Sequence, residues 1–152
     1  NGWLHTGDQG HVDNDGFLYI TGRVKDLFKT SKGKYIEPLL LEDYFGKYSE
    51  FEQICIAGLG NPQPILLVVL SDVGKSIDKD EFENKFKEDL KKINSGLEGY
   101  KKISTIIVVK DSWTVDNGLV TPTLKVKRPM IDKKYGEHYL KWDENPSSVI
   151  WE

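Results

Sequence analysis

The run Ile65-Leu66-Leu67-Val68-Val69-Leu70 limits the fold more than any other feature of the chain. Six consecutive apolar residues leave no polar face, so a strand built from them must be covered on both sides. A membrane helix needs about 20 apolar residues, so the run is too short to span a bilayer. It predicts a central strand in a layered α/β or α+β domain.

The flanking patterns supply the layers. Phe82, Phe86, Leu90 and Ile93 recur at helical spacing and form one apolar face. Asp78 with Glu81 makes a capping-box pattern ahead of that helix. Phe51 to Leu59 alternates and Ile103 to Val109 is β-branched, which predicts two more strands. Pro38 suits a first helical position, and Leu39, Leu40, Leu41, Tyr44 and Phe45 follow as a helical stripe. Asp13-Asn14-Asp15-Gly16 separates the extended runs Gly10 to Val12 and Phe17 to Ile20, predicting a β-hairpin. Asn117-Gly118 predicts a second hairpin, between Trp113-Thr114-Val115 and Leu119-Val120-Thr121. Pro129 predicts the start of a last helix through Tyr139, with Met130, Ile131, Tyr135 and Leu140 apolar.

Composition narrows the functional classes. The chain of 152 residues is long enough for one domain with a real core. With 24 acidic against 21 basic residues the net charge is −3, which argues against a nucleic-acid module. Cys55, the single cysteine, lies in an alternating apolar run and reads as a buried thiol. One cysteine forms no internal disulfide, which fits a cytoplasmic setting. His5, His11 and His138 lack metal-ligand spacing. The chain opens on Asn1, not Met, and no signal-peptide pattern follows, so a piece of a longer protein is expected.

Three segments could carry chemistry. Asp8, in Thr6-Gly7-Asp8, could accept hydrogen bonds from a vicinal diol such as a ribose, or serve a turn locally. Arg23 could meet a ribose or phosphate, or form a surface ion pair. Thr30-Ser31-Lys32-Gly33-Lys34 has the composition of a phosphate loop without P-loop spacing, so its lysines could equally be solvated. Thr121-Pro122-Thr123-Leu124-Lys125-Val126-Lys127-Arg128 ends in three cations within four residues. Extended backbone would point Lys125 and Lys127 to one side. The cluster could guard an edge strand against aggregation, or aim a lysine at a phosphate.

Taken in order, the motifs resemble a known family. Trp3-Leu4-His5-Thr6-Gly7-Asp8, Asp15-Gly16-Phe17-Leu18-Tyr19-Ile20, Gly22-Arg23-Val24-Lys25-Asp26, Lys32-Gly33-Lys34-Tyr35-Ile36 and Pro122-Thr123-Leu124-Lys125 resemble the closing motifs of AMP-forming adenylating enzymes. Leu27 to Tyr35 and Thr121 to Arg128 are most similar to long-chain fatty acid–CoA ligases; many other members of the superfamily carry a Ser-Gly-Lys version of the last motif instead.

The resemblance implies a reaction in two halves. A carboxylate attacks the α-phosphate of ATP, accompanied by Mg²⁺, giving acyl-adenylate and pyrophosphate; the CoA thiol then takes the acyl group and releases AMP. It implies a tail of the N-terminal lobe over residues 1–24, a β-hairpin. A small mobile C-terminal lobe over 25–152 follows, with a compact mixed sheet and packed helices. Asp8 and Arg23 match nucleotide-binding positions, Lys125 the adenylation lysine, and Lys25 the hinge between lobes. Ser31, Lys32, Gly33 and Lys34 match a CoA-binding loop. The implied partners are fatty acid, ATP, CoA and the chain's own N-terminal lobe. The upstream nucleotide and acyl pockets of the family are absent from these residues, so the chain alone is expected to be inactive. Transfer of the acyl group to a carrier protein and a stand-alone binding module remain alternatives, and peripheral contact of the basic cluster with a membrane stays open.

Overall fold

The computed structural model describes residues 2–152; Asn1, the first residue of the expected tail, lies outside the described residues. The chain begins with an antiparallel hairpin of β1 (Asp8–Val12) and β2 (Leu18–Arg23). Its turn forms as the sequence predicts, with Gly16 at φ +86°. Asp13 contributes more than its spacing suggested. Its Oδ1 accepts hydrogen bonds from Phe17 N at 2.9 Å and Asp15 N at 3.0 Å. The Phe17 bond holds the Asp13 carboxyl below its ordinary pKa.

A 3₁₀ turn over Val24–Asp26 leads into a two-stranded ribbon, β3 (Phe28–Lys29) with β4 (Tyr35–Ile36). Pro38 opens α1 (Pro38–Glu42), a helix much shorter than the stripe through Phe45 implied. The main sheet then assembles from β5 (Phe51–Ala57), β6 (Ile65–Leu70), β7 (Ile106–Val108) and β8 (Val149–Trp151), in that spatial order. β6 runs antiparallel to β5 and parallel to β7, and β7 is parallel to β8, so the sheet is mixed.

β6 is buried at every residue, as an all-apolar central strand requires. Alternation splits its side chains between two cores. Leu66, Val68 and Leu70 meet Phe82, Phe86 and Leu90 of α3 (Lys79–Ser95). Ile65, Leu67 and Val69 belong to the core with Trp113 and with Ile131 and Tyr135 of α4 (Arg128–Tyr135). Asp78 caps the long helix by accepting from Asp80 N at 2.9 Å and Glu81 N at 3.3 Å.

Three sequence expectations need correction. The Asn117-Gly118 hairpin does not form. The Asn117 side chain instead accepts from Thr114 N at 3.0 Å and donates to Ser112 O at 2.9 Å, closing a compact turn. The expected last helix is interrupted at Gly136, where a 3₁₀ turn (Gly136–His138) leads to a separate helix (Tyr139–Asp143) that leaves Leu140 exposed. The strand expected over Ile103 to Val109 pairs only at Ile106–Val108. A short helix, α2 (Asp72–Ser76), capped by Ser71, and β8 have no counterpart among the expected elements. Among the described residues, no helix is long and apolar enough to cross a membrane.

Candidate functional site

Asp8, Arg23 and Lys125, separated by up to 117 positions in sequence, line one cleft of about 290 Å³ together with Asp26, Leu39 and Arg128. Asp8 and Arg23 are cross-strand partners at the open end of the hairpin. Asp8 Oδ1 lies 3.2 Å from Arg23 Nε. That contact engages one carboxylate oxygen and one guanidinium nitrogen. The pair therefore keeps hydrogen-bonding capacity for a ligand bearing hydroxyls and negative charge.

Lys125 reaches the cleft from a tight loop, not from the extended segment the sequence suggested. Thr121 N donates to Lys125 O at 2.8 Å, and Leu124 N donates to Thr121 O at 2.8 Å. Lys125 N donates to Thr121 Oγ1 at 3.1 Å. Val120 and Val126 close the loop as an isolated bridge. The geometry requires Leu124 at φ +60°, in the left-handed region. An ammonium on a backbone held at both ends is suited to meeting a phosphoryl oxygen.

Arg128 is a component of the cleft that the sequence pattern concealed. It belongs to the expected basic cluster, yet its guanidinium turns inward. Nη2 donates to both carboxylate oxygens of Glu42, at 2.6 and 2.5 Å, and Nη1 donates to Ile56 O at 2.9 Å. Glu42 Oε1 also accepts from Ile56 N at 2.7 Å. Nη1 also lies 3.4 Å from Cys55 Sγ. Burial pushes the Cys55 thiol up to about 12, so it is neutral at pH 7. Burial alone would lower the pKa of Arg128, but its acidic partners outweigh that and raise it. Arg128 is thus a fixed cation, and Lys125 and Lys127 do not form one exposed basic patch with it.

The remaining predicted positions lie elsewhere. Lys25 is exposed in the 3₁₀ turn that joins the hairpin to the rest of the chain. Ser31, Lys32, Gly33 and Lys34 form the turn between β3 and β4. Gly33 adopts φ +76° there, which gives the glycine a local conformational reason. Ser31 N donates to the carbonyl of buried Asn61 at 2.9 Å. Lys32 and Lys34 line a second cleft of about 530 Å³ with Gln63 and Tyr100. The Lys34 ammonium lies 5.7 Å from the Tyr100 ring centroid. The structure therefore joins Asp8 and Arg23 to Lys125, and places the Ser31–Lys34 loop on a separate cleft.

Comparison with known proteins gives a consistent result. A family model described as "AMP-binding enzyme C-terminal domain" matches residues 25–138. The chain is 34% identical over 151 residues to long-chain-fatty-acid–CoA ligase 5 of Mus musculus, covering 88% of this chain and 22% of that protein. It is 33% identical over 147 residues to long-chain-fatty-acid–CoA ligase 1 of Homo sapiens, covering 85% and 21%. It therefore spans about a fifth of the length of the curated relatives it matches. Among solved structures, the A-PCP didomain of carboxylic acid reductase from Segniliparus rugosus, in complex with AMP, superposes with a TM-score of 0.69 at 26% identity. That match covers 88% of this chain and 19% of the didomain.

Proposed function

The chain belongs to the AMP-binding enzymes as their C-terminal domain, and from that membership we propose that it is the mobile lobe of an ATP-dependent long-chain fatty acid–CoA ligase. The observation that carries the proposal is the cleft uniting Asp8, Arg23 and Lys125. In the first half-reaction a fatty acid carboxylate oxygen attacks the α-phosphorus of Mg²⁺-bound ATP, and pyrophosphate leaves. Asp8 accepts hydrogen bonds from the ribose hydroxyls and Arg23 contacts the nucleotide. Lys125 bridges the carboxylate and the α-phosphate, aligning them and offsetting the charge that develops. In the second half-reaction the CoA sulfur attacks the acyl carbonyl and AMP leaves, with the Ser31–Lys34 loop beside the CoA arm.

Two observations support residues 1–24 as the end of a larger N-terminal lobe and 25–152 as the moving one. The family match begins at residue 25. Val12, Phe17, Leu18, Tyr19 and Ile20 of the hairpin are all more than half exposed, so both faces of this ribbon are apolar and uncovered. The separation of the two clefts supports rotation about Lys25. Lys125 and the Ser31–Lys34 loop line different clefts, so one active centre engages them in turn.

The test uses the full-length protein that contains this chain. Lys125→Ala should slow acyl-adenylate formation roughly 10²–10³-fold and leave thioester formation from supplied acyl-adenylate nearly intact. Equal loss of both half-reactions would overturn the role of Lys125. Full activity of the wild type with a carrier-protein thiol and none with CoA would replace CoA as the acceptor. The chain alone, given ATP, Mg²⁺, CoA and palmitate, should form no acyl-CoA.

A further inference from the structure

The proposed hinge, Lys25, sits between two ion pairs. On its upstream side Arg23 Nε meets Asp8 Oδ1 at 3.2 Å, and Val24 N donates to Gly7 O at 3.0 Å. Both contacts tie the residues before Lys25 to the hairpin. On its downstream side Asp26 Oδ2 lies 3.7 Å from Arg128 Nε. Arg128 is itself held by Glu42 of α1 and by Ile56 O of β5. Lys25 is the one residue between these two sets of anchors, and it is exposed.

We infer that Arg128 is a positioning residue that clamps Asp26 to the small lobe, confining rotation between the lobes to Lys25. The inference rests on the reading of Lys25 as the hinge. The two ends of the clamp differ. At the lobe end, Arg128 Nη2 donates to both carboxylate oxygens of Glu42 and Nη1 to Ile56 O, and the Arg128 and Glu42 side chains are only 18% and 12% exposed. That end is fixed whichever way the hairpin lies. At the hinge end, Asp26 is 41% exposed and its contact exceeds hydrogen-bond length. Such a pair is weak in stability terms. Its effect is geometric: it keeps the backbone just after the pivot in register with α1, β5 and the start of α4. Arg128 also lies three residues after Lys125, so the same guanidinium links the pivot to the loop carrying the proposed adenylation lysine. A lysine at 128 would keep the charge but lack the fork needed to hold Glu42, Ile56 O and Asp26 together.

A double-mutant cycle in the full-length protein separates this clamp from an ordinary surface ion pair. Lys25→Pro fixes φ at the pivot and should slow thioester formation from supplied acyl-adenylate by roughly tenfold or more. Asp26→Asn alone should slow it less than about threefold and leave the melting temperature unchanged, because the pair is half-exposed. Combined with Lys25→Pro, Asp26→Asn should recover thioester formation by roughly three- to tenfold, since rotation can spread to the freed neighbours. Asp26→Glu keeps the carboxylate and should give no recovery. Additive losses in the double variant, or equal recovery with Asp26→Glu, would overturn the clamp while leaving the functional reading standing. A wild-type protein that forms no acyl-adenylate from ATP and fatty acid would overturn the functional reading, and the clamp with it.

Discussion

The loops Thr30–Lys34 and Thr121–Lys125 share one hydrogen-bond frame and differ at the residue that bears its backbone strain. In each, the N–H of the first threonine donates to the carbonyl of the closing lysine, at 2.8 Å in both. In each, the fourth residue donates to the threonine carbonyl, at 2.9 Å for Gly33 and 2.8 Å for Leu124. In each, the lysine N–H donates to the threonine hydroxyl at 3.1 Å. Both fourth residues have positive φ, +76° at Gly33 and +60° at Leu124. Glycine adopts that conformation freely, whereas an L side chain there costs roughly 1–2 kcal/mol. The threonine and the two crossed bonds therefore set the frame, and glycine is not essential to it. The strain sits in the loop proposed to carry the adenylation lysine, and the loop proposed for CoA is relaxed.

The first threonines are the place to break the comparison with the largest effect. Thr30 is 4% exposed, and its hydroxyl is the acceptor for Lys34 N. Thr30→Val keeps the shape and removes the acceptor, leaving a partly buried N–H unpaired, and should cost about 1–3 kcal/mol in chemical denaturation. Thr121 is less buried, and water can replace its hydroxyl at Lys125 N. Thr121→Val should therefore cost less than about 1 kcal/mol. Equal losses at the two positions would show that burial does not distinguish the loops. Gly33→Ala probes the next position. A Cβ there would find only Lys29 Cε, at 3.8 Å, so the loss is backbone strain alone, about 1–2 kcal/mol. A neutral result would mean that the turn relaxes to another conformation.

How far these loops could be read in advance depends on the range of the interactions that build them. β6 and α3 were legible because burial imposes a pattern on neighbouring residues: an all-apolar run, and an apolar face at Phe82, Phe86 and Leu90 behind the Asp78 cap. The first hairpin was legible because its turn needs Gly16 locally. The same rule failed at Asn117-Gly118, where the Asn117 side chain bonds the backbone of Thr114 and Ser112 and offers the chain an alternative to strand pairing. The gathering of Asp8, Arg23 and Lys125 had no local signature, and only the family resemblance linked them. Arg128 misled for the same reason. Its partner Glu42 is 86 positions away, and a charge cluster in sequence says nothing of which member turns inward. The φ of Leu124 was hidden too, since leucine carries no turn signal.

Leu124→Gly sharpens the comparison with the smallest effect, because two contributions oppose each other. Glycine removes the left-handed strain, worth roughly 1–2 kcal/mol in favour of the folded state. It also frees the unfolded chain, which returns about 0.4–1 kcal/mol. Little packing is lost, because the Leu124 side chain is 68% exposed. The net result should be a stabilisation between about 0 and 1.6 kcal/mol, seen as a small rise in the denaturation midpoint with an unchanged slope. The variant makes the second loop a copy of the first at its strained position, and Gly33→Leu performs the reverse exchange. If the frame alone governs both loops, the two substitutions should have opposite signs. A destabilisation by Leu124→Gly would place the leucine side chain, and not the hydrogen-bond frame, in control of how Lys125 is presented.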